Sequence, residues 1–210
     1  ARALSNLRTG RGSLDFDLPE PDIQFNLYGE TIDIRPKVRH FGHQLIEEFM
    51  IAANEAVARF LTEKESPCLY RIHPNPDPEK LQSLFKLLGR TELADKLPSD
   101  PGPKGLQEML AASEGTGLEF LVSRLTLRTM MQAAYSPLNE GHFGLASECY
   151  CHFTSPIRRY ADLMVHRAVK IALGMEDKKE KKNLKGLKRL SKELSECERA
   201  AMGAEREILK

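Results

Sequence analysis

The sequence predicts an α+β fold, with short antiparallel strands near the N-terminus followed by packed helices. Alternating polar and apolar residues with turn residues between them occupy residues 13–38. Apolar residues then recur at spacings of three and four through most of the remaining chain. The first pattern is typical of half-buried strands and the second of amphipathic helices. A chain of 210 residues is long enough to bury a core of this kind.

Composition and charge narrow the class of protein. Hydrophobic residues make up 41% and charged residues 29% of the chain, a balance typical of globular domains. The net charge of +1 gives no global basic signal, so any nucleic-acid site must be a local patch. No run approaches the ~20 apolar residues that span a membrane, so we expect a cytoplasmic protein. The four cysteines lack a C-x-x-C pair, which favours reduced structural thiols over a zinc site.

The N-terminal third is predicted to contain the strands. Residues 1–12 have the composition of a polar lead-in, and three strands are expected in LDFDL, DIQFNL and TIDIRP, with a turn near Gly29. Asp15 and Asp17 would share one face of the first strand, where paired carboxylates can hold Mg²⁺ through water. Because isolated D-x-D pairs are common, we interpret them as an acidic sheet edge.

Helices are predicted over most of the remainder. Residues 43–64 form the clearest one, with Glu47 and the buried amide Asn54 beside its apolar stripe and Glu48 on its surface. Its predicted buried positions are Ile46, Phe49, Met50, Ala53, Val57, Phe60 and Leu61. A buried strand is expected at 69–73, a helix after it, a loop-rich segment over 89–116 and a mostly buried helix over 117–134. The last periodic helix ends mid-pattern, which suggests a fragment of a longer polypeptide.

Residues 151–167 contain the strongest candidate for a site. Ser155 is a favourable N-cap and Pro156 a favourable first residue, so a helix is predicted to begin there. Arg158 and Arg159 would lie in its first turn, where backbone N–H groups, a hydroxyl and two guanidinium groups could converge on a phosphate. The alternative is a surface helix with ion pairs, in which Asp162 reaches Arg158 one turn away.

The amino-acid sequence of this segment favours the phosphate site over the surface helix. HFTSPIRRYADLMVHR closely resembles the signature of the ribonuclease II/R (RNB) family of processive 3′-to-5′ exoribonucleases, and most resembles the ribonuclease R branch. Further segments resemble family blocks in the family's order. They are RGSLDFDLPE, HQLIEEFMIAANEAVARFL, LYRIHPNPDPEKL, HFGLASECYCHFTSPIRRY and ERAAMGAEREI. The resemblance therefore covers nearly the whole chain.

The resemblance implies that residues 1–210 are the C-terminal part of an RNB catalytic domain. Complete family enzymes degrade single-stranded RNA to nucleoside 5′-monophosphates with Mg²⁺. Their metal-binding aspartates lie upstream of the region matched here, so no metal ligands are expected within this chain. Cold-shock-type and S1-type domains would flank the catalytic domain elsewhere in the polypeptide. The expected partners are single-stranded RNA and the remainder of the same polypeptide.

Individual roles also follow from the resemblance. It implies that Arg158 contacts the transferring phosphate and that Glu205 lies at the catalytic centre. It implies substrate-binding roles for four residues, Glu47, Thr154, Ser155 and Arg159. Phe16 and Tyr28 are the nearest aromatic candidates for base stacking, although core packing is the preferred interpretation of both. Two alternatives stay open: a non-catalytic RNA-binding relative without the metal aspartates, and an unrelated phosphate-binding or helical scaffold.

Overall fold

The computed structural model describes residues 1–16, 21–38, 40–175 and 184–208. Helices and two small antiparallel sheets alternate along them, so the predicted α+β class is confirmed. The helices are α1 (Arg2–Arg11), α2 (Phe41–Glu63), α3 (Pro78–Leu88), α4 (Pro103–Ser113), α5 (Glu119–Thr129), α6 (Tyr160–Ala172) and α7 (Leu184–Ile208). The strands are β1 (Pro21–Phe25), β2 (Thr31–Pro36), β3 (Tyr70–Ile72) and β4 (Ala134–Ser136). No helix in these ranges combines the length and apolar character that a membrane span requires.

The β1–β2 hairpin confirms two of the three predicted N-terminal strands. Its turn is closed by a hydrogen bond from the Asn26 N–H to the Glu30 carbonyl, and Gly29 adopts the left-handed conformation this tight reversal needs. Tyr28 at its tip is 90% exposed, so the core-packing interpretation of Tyr28 is wrong. Phe16 does pack against a core cluster. The strand expected in LDFDL is absent from residues 13–16, and Asp17 lies outside the described residues.

Residues 1–12 contain a helix rather than a polar lead-in. Its residue Arg8 is buried and donates from Nε and Nη2 to Glu48 Oε1, at 3.1 and 2.8 Å. The Nη1 group of Arg8 also donates to Ser13 Oγ at 2.8 Å. The prediction that Glu48 is a surface residue is therefore wrong, because α1 covers this face of α2. A buried ion pair forty residues apart in sequence has no local signal, which explains both errors.

Helix α2 confirms the predicted helix, but its buried face differs from the predicted stripe. Ala58 and Leu61 are fully buried near the C-terminal end. Ile46, Phe49 and Met50 are instead 55%, 51% and 37% exposed. The helical period was correct, but the first half of the helix has its apolar side open within the described residues.

The buried apolar side chains form two separate core clusters. The first lies between α3, α4 and α5, and its buried side chains include Leu88, Leu106, Met109 and Val122. The second lies between α2, β3, α6 and α7 and contains Leu61, Leu69, Cys151, Val165 and Leu187. Cys151 forms an isolated antiparallel bridge with Tyr70. The second cluster supports the segment that joins Cys151 to α6.

Gly105 allows α4 to approach the preceding loop closely. A Cβ at this position would lie 2.0 Å from the Asp100 carbonyl oxygen and 2.8 Å from Pro98 Cβ. We therefore expect Gly105→Ala to destabilise the chain by about 2–3 kcal/mol through overpacking. Gly203→Ala is the matched control in α7, where a Cβ would meet no atom within 4 Å and alanine is the better helix former. Urea unfolding of the 210-residue chain compares them, and equal stabilities of the two variants would contradict this packing.

Candidate functional site

The 152–159 loop connects the second core cluster to α6. The structure begins α6 at Tyr160, so the prediction that Ser155 caps a helix starting at Pro156 is wrong. The Ser155 carbonyl instead accepts from the Arg158 and Arg159 N–H groups, at 3.3 and 3.1 Å, and closes a separate turn. Arg159 then has an extended conformation before the helix. Arg158 consequently lies in a tight turn outside the helix.

Asp162 anchors this loop from the first turn of α6. Its fully buried carboxylate accepts from Arg159 Nε at 2.7 Å, from Arg159 Nη2 at 2.8 Å and from the Ser155 N–H at 2.8 Å. Burial alone would raise the pKa of Asp162, but these charge-assisted hydrogen bonds outweigh burial and hold its pKa below the ordinary value. Asp162 therefore pairs with Arg159 and not with Arg158. Its hydrogen bond from the Ser155 N–H also joins the start of this turn to α6.

Arg158 is the cation of the loop that remains available. Its side chain is exposed, and it forms no hydrogen bond or ion pair with the described part of the chain. Arg159 has the opposite environment, because two of its three guanidinium nitrogens are occupied by Asp162. Thr154 and Ser155 are half-buried beside the two arginines. Within the described residues, the Arg158 guanidinium therefore has no partner, whereas the charge of the adjacent Arg159 is neutralised by Asp162.

Polar and ring contacts fix the start of the loop to α2 and α6. The side chain of Asn54 donates to Tyr150 Oη at 2.9 Å and accepts from the Phe153 N–H at 3.0 Å. His166 stacks on the Phe153 ring at a centroid distance of 4.1 Å, and its Nε2 lies 2.9 Å from the Phe153 carbonyl oxygen. Asn54, which was predicted to be a buried amide, therefore fixes the start of the loop backbone that carries the two arginines.

A second network ties His152 to α7. Tyr135 Oη lies 2.9 Å from His152 Nδ1, and the Tyr135 N–H donates to Ser195 Oγ at 2.9 Å. The Arg71 guanidinium lies 4.8 Å from the centroid of the Tyr135 ring and forms a 2.6 Å ion pair with Glu198. This network was not predicted from the sequence. Its available signal was Arg71, a charged residue in the middle of a predicted buried strand.

Tyr135 and His152, the two residues at the centre of this network, are both uncharged. Burial raises the pKa of Tyr135 to about 12, so its hydroxyl keeps its proton. Burial, assisted by the positive charges of Arg159 and Arg71, lowers the pKa of His152 to about 3. Neutral His152 therefore has one nitrogen that donates and one that accepts hydrogen bonds across the physiological range.

Comparison with known proteins decides the family. The RNB domain matches residues 1–175. The chain belongs to the RNB domain family. The resemblance found in the 152–159 loop and its flanking segments is thereby confirmed.

Relatives of this RNB chain match it over most of its length. Ribonuclease R of Aquifex aeolicus is 48% identical over 208 residues, which cover 99% of this chain and 30% of the relative. Ribonuclease R of Escherichia coli K12 is 40% identical over 177 residues, or 83% of this chain and 22% of the relative. The structure of Mycoplasma genitalium RNase R in complex with ribose-methylated single-stranded RNA matches with a TM-score of 0.90 and 30% identity, covering 98% of this chain and 33% of that one. The chain spans about a third or less of the length of these relatives.

The other two predicted site residues of the RNB chain lie on separate helices. Glu47 is half-buried on α2, next to the buried Glu48. Glu205 is exposed on α7, on the same face as Glu198 and about 10 Å further along the helix. It makes no hydrogen bond or ion pair within the described ranges. The structure therefore brings Thr154, Ser155 and the two arginines together in one loop, and leaves both glutamates outside it.

The described residues do not offer a metal centre. Among them, no group of three or more His, Cys, Asp or Glu side chains is arranged to hold a metal ion. Asp162, the buried carboxylate nearest the loop, is already occupied by Arg159 and the Ser155 N–H. The donor set described here therefore does not fit the Mg²⁺ that the family resemblance implies, and we assign no reaction step of this chain to a metal.

Proposed function

We propose that this RNB chain is part of a processive 3′-to-5′ exoribonuclease that hydrolyses single-stranded RNA to nucleoside 5′-monophosphates. The chain supplies the transition-state arginine and part of the RNA channel. The relatives named Ribonuclease R, and the M. genitalium structure that contains single-stranded RNA, support this class of substrate. The single observation that carries the proposal is the exposed guanidinium of Arg158, which has no partner among the described residues, beside a neighbouring arginine that is neutralised by Asp162.

The chemistry of phosphodiester hydrolysis explains why such an arginine is useful. As water attacks the phosphorus atom, negative charge accumulates on the non-bridging oxygens. A guanidinium group can donate two parallel hydrogen bonds to these oxygens and stabilise that charge. Arg158 can do so without breaking an existing ion pair, because the described residues offer it none. The Ser155 turn and the Asp162 anchor hold its backbone in place before the substrate arrives.

The neighbouring residues suit binding of the ground-state RNA. In this proposal the Thr154 and Ser155 hydroxyl groups and the Nη1 group of Arg159, which Asp162 does not occupy, contact phosphate oxygens of the strand. Arg159 also has a structural role, since it neutralises the buried carboxylate. In this proposal Glu47 of α2 lines the RNA path and Glu205 of α7 reaches the catalytic centre. The Mg²⁺ ligands belong to other parts of the polypeptide.

An end-labelled RNA assay on the full-length polypeptide tests the function. With 5′-labelled single-stranded RNA and Mg²⁺, we expect stepwise shortening from the 3′ end and release of nucleoside 5′-monophosphates. A non-catalytic RNA-binding relative would retain the RNA without shortening it. Internal cleavage or shortening from the 5′ end would overturn the proposed direction of hydrolysis.

The isolated 210-residue chain gives a separate prediction about the metal site. We expect it to hydrolyse RNA poorly or not at all even with added Mg²⁺, because its described residues do not form a metal-binding group. The measurement is mononucleotide release at equal molar concentrations of the chain and the full-length polypeptide. Strong, EDTA-sensitive release by the chain alone would contradict the placement of the metal ligands elsewhere.

A further inference from the structure

A cavity of about 530 Å³ lies between α7 and the segment formed by β4 and the residues after it. Its volume falls within the range of roughly 300–1,000 Å³ that is typical of ligand pockets. The wall on the β4 side is mainly apolar and includes Tyr135, Pro137 and Leu138. The two walls are joined by a hydrogen bond of 2.9 Å, which the Tyr135 N–H donates to Ser195 Oγ. The cavity is therefore fixed by contacts between the elements on its two sides.

The wall on the α7 side is cationic. It is made by Lys188, Ser191, Lys192, Ser195 and Arg199. Their spacings of three and four residues place them on one face of the helix. The acidic residues Glu193 and Glu198 of α7 do not line the cavity, and they pair with Arg189 and Arg71 respectively. This face of α7 thus presents three cations and two small hydroxyl side chains to the cavity.

The cations of this wall are available to an anion. Within the described part of the chain, the side chains of Lys188 and Arg199 form no hydrogen bond or ion pair. Lys192 forms a 3.8 Å pair with Glu196, and because both side chains are more than half exposed this pair contributes little. Glu140 is the one carboxylate among the described residues that line the cavity. The cavity therefore carries excess positive charge in a chain whose net charge is only +1.

The spacing of the cations indicates that the anion is extended. At 1.5 Å per residue, Lys192 lies about 6 Å and Arg199 about 16 Å from Lys188 along the axis of α7. One phosphate group is too small to contact both ends of this row, whereas successive phosphates of a strand can follow it. The Tyr135 ring is already covered by Arg71, whose guanidinium lies 4.8 Å from its centroid, so this ring offers no free face for base stacking. The expected contacts are therefore to the phosphate backbone and independent of base sequence.

We propose that the cavity between α7 and β4 binds the phosphate backbone of a segment of single-stranded RNA outside the loop that bears Arg158. The inference rests on the proposed function, which makes single-stranded RNA the substrate. Tyr135 links the two places, because it lines the cavity while its hydroxyl lies 2.9 Å from Nδ1 of His152, at the start of the 152–159 loop. The three cations of α7 contribute to the affinity for the strand and take no part in the chemical step.

Removing two of these cations in the full-length polypeptide tests the site. The cavity variant combines Lys188→Gln with Arg199→Gln, since both side chains are exposed and glutamine is a good helix former. In single-strand binding, each phosphate contact contributes about 0.7 to the slope of log affinity against log salt concentration. We expect the cavity variant to bind a fluorescent single-stranded RNA about tenfold more weakly in about 0.1 M salt with EDTA, with a slope smaller by about 1.4. The control variant, Arg90→Gln with Arg189→Gln, removes equal charge from exposed arginines outside the cavity and should stay within about twofold of the wild type.

The affinities and salt slopes allow clear contradictions. Equal affinity of the cavity variant and the wild type would overturn the site, and equal losses in both variants would show a general effect of charge instead. Weaker binding with an unchanged slope would show that no phosphate contact was lost. A lower melting temperature of the cavity variant with unchanged RNA affinity would show that another part of the polypeptide fills the cavity, which also overturns the proposal. The binding assay does not depend on RNA shortening, so failure of the exonuclease proposal would be recognised separately.

Discussion

Replacing Arg158 with alanine in the full-length polypeptide is expected to lower kcat for RNA hydrolysis by about 10³-fold. KM and the RNA dissociation constant should change by less than about threefold. The reason is that the guanidinium group meets its full complement of negative charge only as the phosphorus centre becomes five-coordinate. An interaction made mainly in the transition state lowers kcat and leaves ground-state binding nearly intact. Single-turnover kinetics and RNA binding in EDTA measure the two quantities separately.

Two further variants make this result specific. Arg158→Lys keeps the charge and loses the planar fork, so its kcat should fall between those of alanine and the wild type. Arg90→Ala removes another exposed arginine, at the end of α3 in the part of the molecule built around the first core cluster. It should leave both parameters near the wild-type values. If Arg158→Ala loses affinity but keeps its rate, Arg158 is a ground-state contact and the transition-state role is wrong.

The fold was predictable where its signals are local. Helix α2 followed from its apolar period. Helix α3 has equally local determinants, a proline in its first turn and a side-chain cap from Asp77. The hairpin followed from alternation around Gly29. Helix α1 was missed because its stability depends on Arg8, whose partner Glu48 lies forty residues away. The exposure of the first half of α2 was not predicted, because the apolar period of a helix does not show which part of its apolar face other elements cover.

The sequence singled out residues 154–159 as a candidate site with two arginines, but predicted them as a helix start. The structure instead has them in a loop before α6. The different environments of the two arginines depend on Asp162, which pairs with Arg159 and leaves the Arg158 side chain exposed. The contact between Tyr135 and His152 joins β4 to the loop, and Arg71 joins them from β3. These pairings arise from tertiary packing, and no spacing rule in the sequence encodes them.

Substitution of Asp162, which anchors the loop, is expected to have the largest effect on stability. We expect Asp162→Asn to destabilise the 210-residue chain by about 3–5 kcal/mol, because it leaves Arg159 and the Ser155 N–H without their fully buried charged partner. Glu193→Gln is the control, since it breaks the exposed 3.3 Å pair with Arg189 and should cost less than about 0.5 kcal/mol. Urea unfolding at pH 7 measures both.

The pH dependence of the same pair of proteins distinguishes a charged anchor from a merely well-packed side chain. The pKa of Asp162 in the folded chain lies below its ordinary value of 3.8, so the unfolded chain binds the proton more readily. The stabilisation is therefore fully present above about pH 5 and is lost as the pH falls through the lowered pKa. The stability difference between the wild type and Asp162→Asn should shrink accordingly in acid. A difference that stays constant from pH 7 to pH 3 would show that packing, and not the ion pair with Arg159, holds the loop that presents Arg158.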